Sequence, residues 1–395
     1  MSTIYLSYQL LFLAKHGVIQ VEMLHSAAQK SDVVSLTNSQ FKPEGESDVA
    51  VFNHPEFDNH EQVVFCSDQE TGLRAIIAVH STRLGPAVGG CRLWNYASDE
   101  AAIDDVLRLS RGMTYKNAMA GLPLGGGKSV IIGDAKTIKS EALFRAFGRM
   151  LQRLGGSYYS AEDVNITTGD IMQVHKETPF VAGLEGKSGN PGPFTALGTY
   201  QGVKAAAMHK FGSADLAGKT VAVQGLGSVG FYLCEYLHKE GAKLIVTDIN
   251  QAAVERAVAQ FGATAVGLHG IYEVEADIYS PCALGATLND ETIGLLKAKV
   301  VAGCANNQLK QARHGEMLRQ RGILYAPDYV INAGGIINVA CEMRPQGYDA
   351  AESTAKVNQI YHTLLNIFQR ADEEDKPTSD IADVMAQEII SRGQQ

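Results

Sequence analysis

The segment that most constrains the fold runs from Lys219 to Asn250, KTVAVQGLGSVGFYLCEYLHKEGAKLIVTDIN. Its pattern predicts a buried strand, a glycine-rich turn, a helix and a second strand that ends at Asp248. The turn from Gly225 to Gly230 has the full G-x-G-x-x-G spacing. A strand, turn and helix of this kind form the phosphate-binding unit of a Rossmann domain, so the sequence predicts an open parallel α/β sheet here.

Each glycine of the turn meets a separate physical demand. Gly225 permits a tight turn, Gly227 lets the backbone approach a pyrophosphate, and Gly230 lets the helix pack closely on the strand. The free N–H groups of the helix N-terminus then face the phosphates. We therefore predict that the whole turn binds a dinucleotide, through Gly225, Leu226, Gly227, Ser228, Val229 and Gly230.

A carboxylate at the end of the second strand indicates which dinucleotide is bound. Asp248 lies 23 residues after Gly225 and can accept hydrogen bonds from the ribose hydroxyls of NAD. The 2′-phosphate of NADP would meet a like charge there, and neither Ile249 nor Asn250 supplies an arginine to relieve it. The sequence therefore favours NAD as the cofactor.

The composition allows two domains and excludes several partners. The chain has 395 residues, of which 45% are hydrophobic and 19% charged, enough for two cores. A formal net charge of -9 without clustered Lys and Arg argues against nucleic acid. The six cysteines form no CxxC pair, which predicts no metal site and no disulfide framework and favours the cytoplasm. The apolar run at 4–14 is too short to span a membrane.

We expect four parts in the chain. Residues 1–48 lack sustained periodicity and are expected to form a flexible extension. They are followed by a catalytic domain at 49–189, an NAD-binding Rossmann domain at 190–330, and a C-terminal segment at 331–395 whose helices return to the first domain. The fold class is thus α/β with two domains and the active site in the cleft between them.

Hydrophobic periodicity predicts individual elements. The helices are expected at 98–113, 141–154 and within 350–390, where Val357, Ile360, Leu364 and Ile367 recur at helical spacing. The strands outside the dinucleotide unit are expected at 62–68, 73–81, 158–161, 276–283, 299–307 and 322–335.

A second glycine-rich run, GLPLGGGKSV at 121–130, superficially resembles a phosphate-binding Walker loop. That loop would require glycine at the position of Leu122, so the spacing is off by one. We interpret the run as the surroundings of a catalytic lysine, Lys128, because glycines let backbone and substrate approach closely. A second lysine, Lys116, is expected in the same cleft, where repulsion and burial lower one pKa. Asp163 would supply the complementary carboxylate.

Seven segments resemble, in order, the amino-acid dehydrogenases of the glutamate/leucine/phenylalanine/valine group. The segments are LGPAVGGCR (84–92), RGMTYKNAMAGLPLGGGKSVIIGD (111–134), AEDVN (161–165), AVQGLGSVG (222–230), CALGA (282–286), ANNQL (305–309) and PDYVINAGGIINV (327–339). The resemblance runs from about residue 50 to the C-terminus and is closest to the leucine dehydrogenases. It implies reversible NAD-dependent oxidative deamination of an L-amino acid to a 2-oxo acid and ammonia, by a homo-oligomer that in leucine enzymes is commonly an octamer.

The resemblance also implies roles for individual residues. Lys128 would activate the attacking water, Lys116 would hold the substrate carboxylate, and Asp163 would exchange protons with the amine. Further substrate-binding residues are expected to be Val88, Gly89, Gly90, Met113, Ala161, Asn307, Ile336 and Val339. Asn307 is also expected at the cofactor, together with Thr195 and Asn332.

The side-chain pocket is expected to be apolar. Val88 stands where glutamate dehydrogenases carry a lysine, so the distal carboxylate of glutamate would be left unpaired. Ala161, Ile336 and Val339 are aliphatic, and one methylene discriminates weakly, which favours leucine, valine and isoleucine together. An aromatic amino-acid dehydrogenase, acting on phenylalanine or tryptophan, remains the alternative.

Two other classes of protein are disfavoured. An ATP-dependent phosphotransferase would have to use the ill-spaced GGGKS run. A catalytically silent NAD-binding protein would not need Lys116, Lys128 and Asp163 together.

Overall fold

A computed structural model describes residues 12–15, 18–21, 51–184, 188–344 and 346–393. The chain divides into two compact units, Met1–His54 and Pro55–Gln395. The first contains an antiparallel pair of strands, β1 (Phe12–Lys15) and β2 (Val18–Val21). The rest of the extension predicted at 1–48, and with it most of the apolar run, lies outside the described residues. The domain boundaries drawn at 48, 189 and 330 stay predictions.

The first sheet of the large unit has five strands. These are β3 (Gln62–Asp68), β4 (Leu73–Ser81), β5 (Ala87–Trp94), β6 (Gly125–Ile132) and β7 (Tyr158–Glu162). Their order is β3-β4-β6-β5-β7. The first two match the strands predicted at 62–68 and 73–81 and form a hairpin, with Gly72 at a φ of 72° in its turn. β5 is parallel to both β6 and β7, whereas β4 is antiparallel to β6.

Four helices accompany this sheet. They are α1 (Asp99–Met119), α2 (Ala135–Ile138), α3 (Glu141–Gln152) and α4 (Thr168–His175). Ser98 caps α1 and accepts a hydrogen bond from the Ala101 N–H. The helix is longer than the predicted 98–113, because its apolar and small residues stay buried as far as Met119. This extra length carries Lys116 onto the same helix.

The run GGGKS is a buried strand, β6, and not a loop. A Cβ atom on Gly125 would lie 2.0 Å from the Ser81 carbonyl oxygen, and one on Gly126 would lie 2.0 Å from the Thr114 nitrogen. The glycines are therefore needed because α1 and the neighbouring strand pack directly on this backbone. The expectation that they let a substrate approach is wrong for these two positions, and a Walker loop is excluded.

The second sheet is entirely parallel. Its strands are β8 (Thr220–Gln224), β9 (Lys243–Thr247), β10 (Thr264–Ala265), β11 (Ile278–Pro281), β12 (Val300–Val301) and β13 (Leu324–Tyr325), in the order β10-β9-β8-β11-β12-β13. Its helices are α5 (Gly192–Phe211), α6 (Gly230–Lys239), α7 (Gln251–Phe261), α8 (Asp290–Leu295) and α9 (Arg313–Gln320). The predicted Rossmann architecture is confirmed.

Three strands predicted in the second half were too long. β11 has four residues, and β12 and β13 have two each. The rest of the segment predicted as a strand at 322–335 is largely helical, in α10 (Asp328–Ile331) and α11 (Gly334–Glu342). Pro327 ends the extended backbone and opens α10. A short apolar run does not distinguish a buried helix from a strand.

The C-terminal region is helical, as predicted for 350–390. It forms α12 (Ala350–Asn358), α13 (Ile360–Glu374) and α14 (Thr378–Arg392). The side chains at helical spacing, Val357, Ile360, Leu364 and Ile367, are all buried. α14 reaches α1, where the Gln387 amide donates a hydrogen bond to the Tyr115 hydroxyl at 2.9 Å. Within the described part of the chain, every helix is too short or too polar to cross a membrane.

Candidate active site

A cavity of about 380 Å³ opens between residues of the two sheets. One wall is formed by β5, α1, β6 and the end of β7. The other wall is formed by α5, the loop after β12, and the helices α10 and α11. Loops and helix ends at the carboxyl edge of a parallel sheet are the usual position of a ligand site in α/β proteins.

Most of the predicted site residues meet in this cavity, although they come from distant parts of the chain. They are Lys116, Lys128, Asp163, Gly89, Gly90, Met113, Ala161, Asn307, Ile336 and Val339, with Thr195, Val229 and Asn332 at the side of the second sheet. The structure thus brings the two lysines and the aspartate to one site.

Val88 does not reach the cavity. Its side chain is fully buried in the hydrophobic core that also contains Leu84 and Ala118. The apolar wall is formed instead by Leu109, which sequence reasoning missed, and by Met113 beside the predicted aliphatic residues. An effect of Val88 on substrate choice would therefore have to act through packing, since the wall is made by other residues.

Lys128 and Asp163 form a close ion pair. Lys128 lies on β6 with 6% of its surface exposed, and its Nζ atom is 2.7 Å from Oδ2 of Asp163, which follows β7 directly. Burial raises the pKa of Asp163, but the charges of Lys128 and Arg92 outweigh that effect and hold the pKa below its usual value. The carboxylate is therefore ionised at neutral pH.

Lys116 shows the lowered pKa expected for one of the two lysines. Burial lowers its pKa to about 8, and the charge of Lys128 contributes in the same direction against the opposing charge of Asp328. A half-buried ammonium of this kind gains a favourable partner when a ligand brings a carboxylate. Lys116 is on α1 and faces the cavity that Lys128 also lines.

Sequence reasoning missed Asp328. Its half-buried carboxylate accepts hydrogen bonds from the backbone N–H groups of Gln308, at 2.8 Å, and Tyr329, at 2.6 Å. Burial raises the pKa of Asp328, although these hydrogen bonds and the charge of Lys116 oppose the rise. The residue was visible in the motif PDYVINAGG. Because the segment was interpreted as a strand, the sequence did not indicate that Asp328 starts a helix beside Lys116.

The predicted dinucleotide turn has the geometry that such a ligand requires. Gly225 has a φ of 101°, and a Cβ atom on Gly230 would lie 2.0 Å from the Gly225 carbonyl oxygen. A Cβ atom on Gly227 would meet no atom within 4 Å, so the backbone there is open to a pyrophosphate. Oδ2 of Asp248 accepts a hydrogen bond from the Leu226 N–H at 2.5 Å, which holds the carboxylate beside the turn.

Asn332 presents a buried hydrogen-bond acceptor without a partner. Its side-chain nitrogen donates to the Cys304 carbonyl at 3.1 Å and to Oδ1 of Asn306 at 2.7 Å. Its Oδ1 atom is buried and finds no donor among the described residues. Buried acceptors of this kind usually bond an ordered water or a ligand, and Asn332 is among the residues that line the cavity.

Comparison with known proteins identifies the family of the chain. Residues 60–182 match the family model described as Glu/Leu/Phe/Val dehydrogenase, dimerisation domain. Residues 188–255 and 249–392 match the model described as Glutamate/Leucine/Phenylalanine/Valine dehydrogenase.

Individual relatives cover most of the chain. A leucine dehydrogenase from Bacillus cereus is 57% identical over 86% of this chain and 93% of its own length. An L-tryptophan dehydrogenase from Nostoc punctiforme is 50% identical over 84% of this chain and 94% of its own length. The crystal structure of L-tryptophan dehydrogenase from Nostoc punctiforme superimposes with a TM-score of 0.75 at 46% identity, covering 85% of this chain and 96% of the other.

Proposed function

The chain belongs to the Glu/Leu/Phe/Val dehydrogenase family, and we propose that it oxidatively deaminates branched-chain L-amino acids, leucine first, with NAD. Valine and isoleucine are further substrates. The products are the 2-oxo acid and ammonia, and the reaction is reversible. The observation that carries the proposal is the meeting of Lys116, Lys128 and Asp163 in one cavity beside an open dinucleotide turn.

The proposed roles follow from charge and position. The Lys116 ammonium binds the substrate carboxylate, which relieves its unfavourable burial. Asp163, kept ionised by its cationic neighbours, accepts a proton from the substrate amine. Lys128 then activates the water that completes deamination. A nicotinamide cofactor bound at the second sheet would supply the hydride acceptor that the oxidation requires.

The cofactor is held by residues of the second sheet. The turn from Gly225 to Gly230 takes the pyrophosphate, and Asp248 takes the ribose hydroxyls of NAD in preference to the 2′-phosphate of NADP. Asn332, Thr195 and Asn307 line the same side of the cavity and would contact the nicotinamide end of the cofactor.

The cavity favours an aliphatic side chain. Leu109, Met113, Ile336 and Val339 supply apolar surface. The two arginines in the wall, Arg92 and Arg108, are both paired with Asp105, which makes them poor partners for the distal carboxylate of glutamate. The leucine dehydrogenase relative is also more similar in sequence than the tryptophan dehydrogenase relative.

We further propose a homo-oligomer in the cytoplasm, with an octamer as the expected form. The match to a model described as a dimerisation domain supports assembly of the chain. The absence of a CxxC pair among the six cysteines supports a reducing compartment.

The test is a steady-state assay of NADH production across a panel of L-amino acids. We expect kcat/KM to be highest for leucine, to remain substantial for valine and isoleucine, and to be low for glutamate. A preference for phenylalanine or tryptophan would replace this proposal with an aromatic amino-acid dehydrogenase. The absence of turnover with every amino acid would contradict it altogether.

A further inference from the structure

A row of charged groups extends beyond the Lys128–Asp163 pair. Arg92, near the end of β5, donates from Nε to Oδ2 of Asp163 at 3.3 Å. The same guanidinium donates from Nη1 to Oδ2 of Asp105, on α1, at 2.9 Å. Arg92 therefore connects the ion pair in the cavity with a second carboxylate on a different element.

The second carboxylate is firmly held. Only 9% of the surface of Asp105 is exposed. Its Oδ2 atom also accepts a hydrogen bond from the Tyr96 hydroxyl at 2.7 Å, and its Oδ1 atom accepts one from Arg108 at 3.1 Å. A carboxylate with this many partners has little freedom to move, so it fixes the orientation of the planar Arg92 guanidinium.

One carboxylate oxygen of Asp163 contacts two cations. Oδ2 contacts both Nζ of Lys128, at 2.7 Å, and Nε of Arg92, at 3.3 Å. Because both cations attract the same atom, Arg92 weakens the hold of Asp163 on Lys128 and fixes the carboxylate when Lys128 moves. An isolated buried pair would instead be locked together by its own attraction.

Other groups around Asp163 cannot replace Arg92. Those that interact with it electrostatically from the surrounding elements are Cys91, Arg92, Tyr96, Lys116, Lys128 and Tyr158. Burial raises the pKa values of Cys91, Tyr96 and Tyr158, so these three are neutral. The cations are therefore Arg92 and the two lysines, and Arg92 alone cannot lose its proton at a working pH.

We propose that Arg92 is a positioning residue for the Lys128–Asp163 pair, and that Asp105 is its anchor. Arg92 holds Oδ2 of Asp163 in place and supplies a permanent positive charge that eases proton release from the pair. Asp105 offsets part of that charge and so sets the pH at which the pair becomes active. This inference rests on the proposed function and adds a residue to its acid–base machinery.

Because Arg92 and Asp105 carry opposite charges, removing one or the other should shift the pH profile in opposite directions. Arg92→Gln removes a cation beside the pair and makes proton release harder, so the acid limb of the kcat/KM profile should move to higher pH by about one unit. Asp105→Asn removes an anion and should move the limb to lower pH. Arg92→Lys keeps the charge but cannot make both contacts, so the limb should stay and kcat should fall.

The measurement is kcat/KM for leucine against pH, with each variant's melting temperature recorded. Arg74→Gln is the matched control, because Arg74 forms a similar pair with Asp99 at an exposed site outside the cavity and should leave the profile unchanged. Turnover by the unmodified protein is measured first, and its absence contradicts the proposed function rather than the role of Arg92.

The role of Arg92 is overturned if Arg92→Gln and Asp105→Asn leave the limb unmoved or move it in the same direction. A purely structural arginine would lower the melting temperature or kcat without shifts of opposite sign. If Arg92→Gln does not fold, the other two variants decide the question. The proposal is contradicted if the acid limb of the kcat/KM profile stays in place in Asp105→Asn, or if it shifts in Arg92→Lys.

Discussion

The Nζ atom of Lys128 lies 2.7 Å from Oδ2 of Asp163 in a cavity that is lined on its opposite side by residues of the dinucleotide domain. A lysine kept as an ammonium by a carboxylate cannot act as a base, and a carboxylate paired with an ammonium is a weaker proton acceptor. The pair must therefore separate before either group can act. A substrate amine that competes for Asp163 would achieve this, which links substrate binding to the activation of Lys128.

Two alanine substitutions in the dinucleotide turn should have different consequences. The added Cβ in Gly227→Ala meets no protein atom, so the variant should keep its melting temperature while its Kd for NADH rises by about tenfold or more. The added Cβ in Gly230→Ala would lie 2.0 Å from the Gly225 carbonyl oxygen. Overpacking of this kind costs about 1–3 kcal/mol, so the melting temperature should fall.

Fluorescence titration with NADH and thermal unfolding measure these two effects. The assignment of the turn to the pyrophosphate is contradicted if Gly227→Ala binds NADH as tightly as the unmodified protein.

The preference for NAD should depend on the charge of Asp248. Asp248→Asn keeps the size of the side chain but removes the repulsion of a 2′-phosphate, so the ratio of kcat/KM with NAD to that with NADP should fall by about tenfold. The exposed Glu255 on α7 provides the control, and Glu255→Gln should leave the ratio unchanged. An unaltered ratio in Asp248→Asn would show that another group selects the cofactor.

Binding of a carboxylate ligand should be pH dependent through Lys116. Its pKa of about 8 means that the ammonium is present below this pH and is lost above it. Isocaproate, which has the carboxylate and side chain of leucine but no amine, should therefore bind less tightly as the pH rises through about 8, by roughly tenfold per pH unit above it.

Inhibition constants measured across this range test the prediction, with Lys116→Met as the comparison. The variant should bind isocaproate weakly and with little dependence on pH. If the unmodified protein binds isocaproate equally well on both sides of this range, Lys116 does not bind the carboxylate.

The features that could be predicted from the sequence are those set by residues close together along the chain. The three glycines of the dinucleotide turn each serve a different short-range purpose, and the hairpin of β3 and β4 follows from two β-branched runs separated by Gly72. Lys128 and Asp163 were identified as a reacting set because of their residue types and their resemblance to known dehydrogenases. Their separation of 2.7 Å is a property of the folded chain alone.

The features that were missed depend on contacts between remote segments. Gly126 is required by Thr114 on α1, which no local pattern in GGGKS reveals. The apolar character of Val88 did not indicate which face of β5 its side chain would occupy. The side chain packs into the core. Asp328 depends on Pro327, which stops a strand after two residues and turns the chain into a helix beside Lys116.

The central claim is that Lys128 carries the deamination in this cavity, and its most direct test is NADH production from leucine by Lys128→Ala. The variant should still fold and bind NADH, while kcat falls by about 100- to 10,000-fold. Lys136→Ala, which removes an exposed lysine on α2, should retain full activity. Turnover by Lys128→Ala at a rate close to that of the unmodified protein would contradict the account.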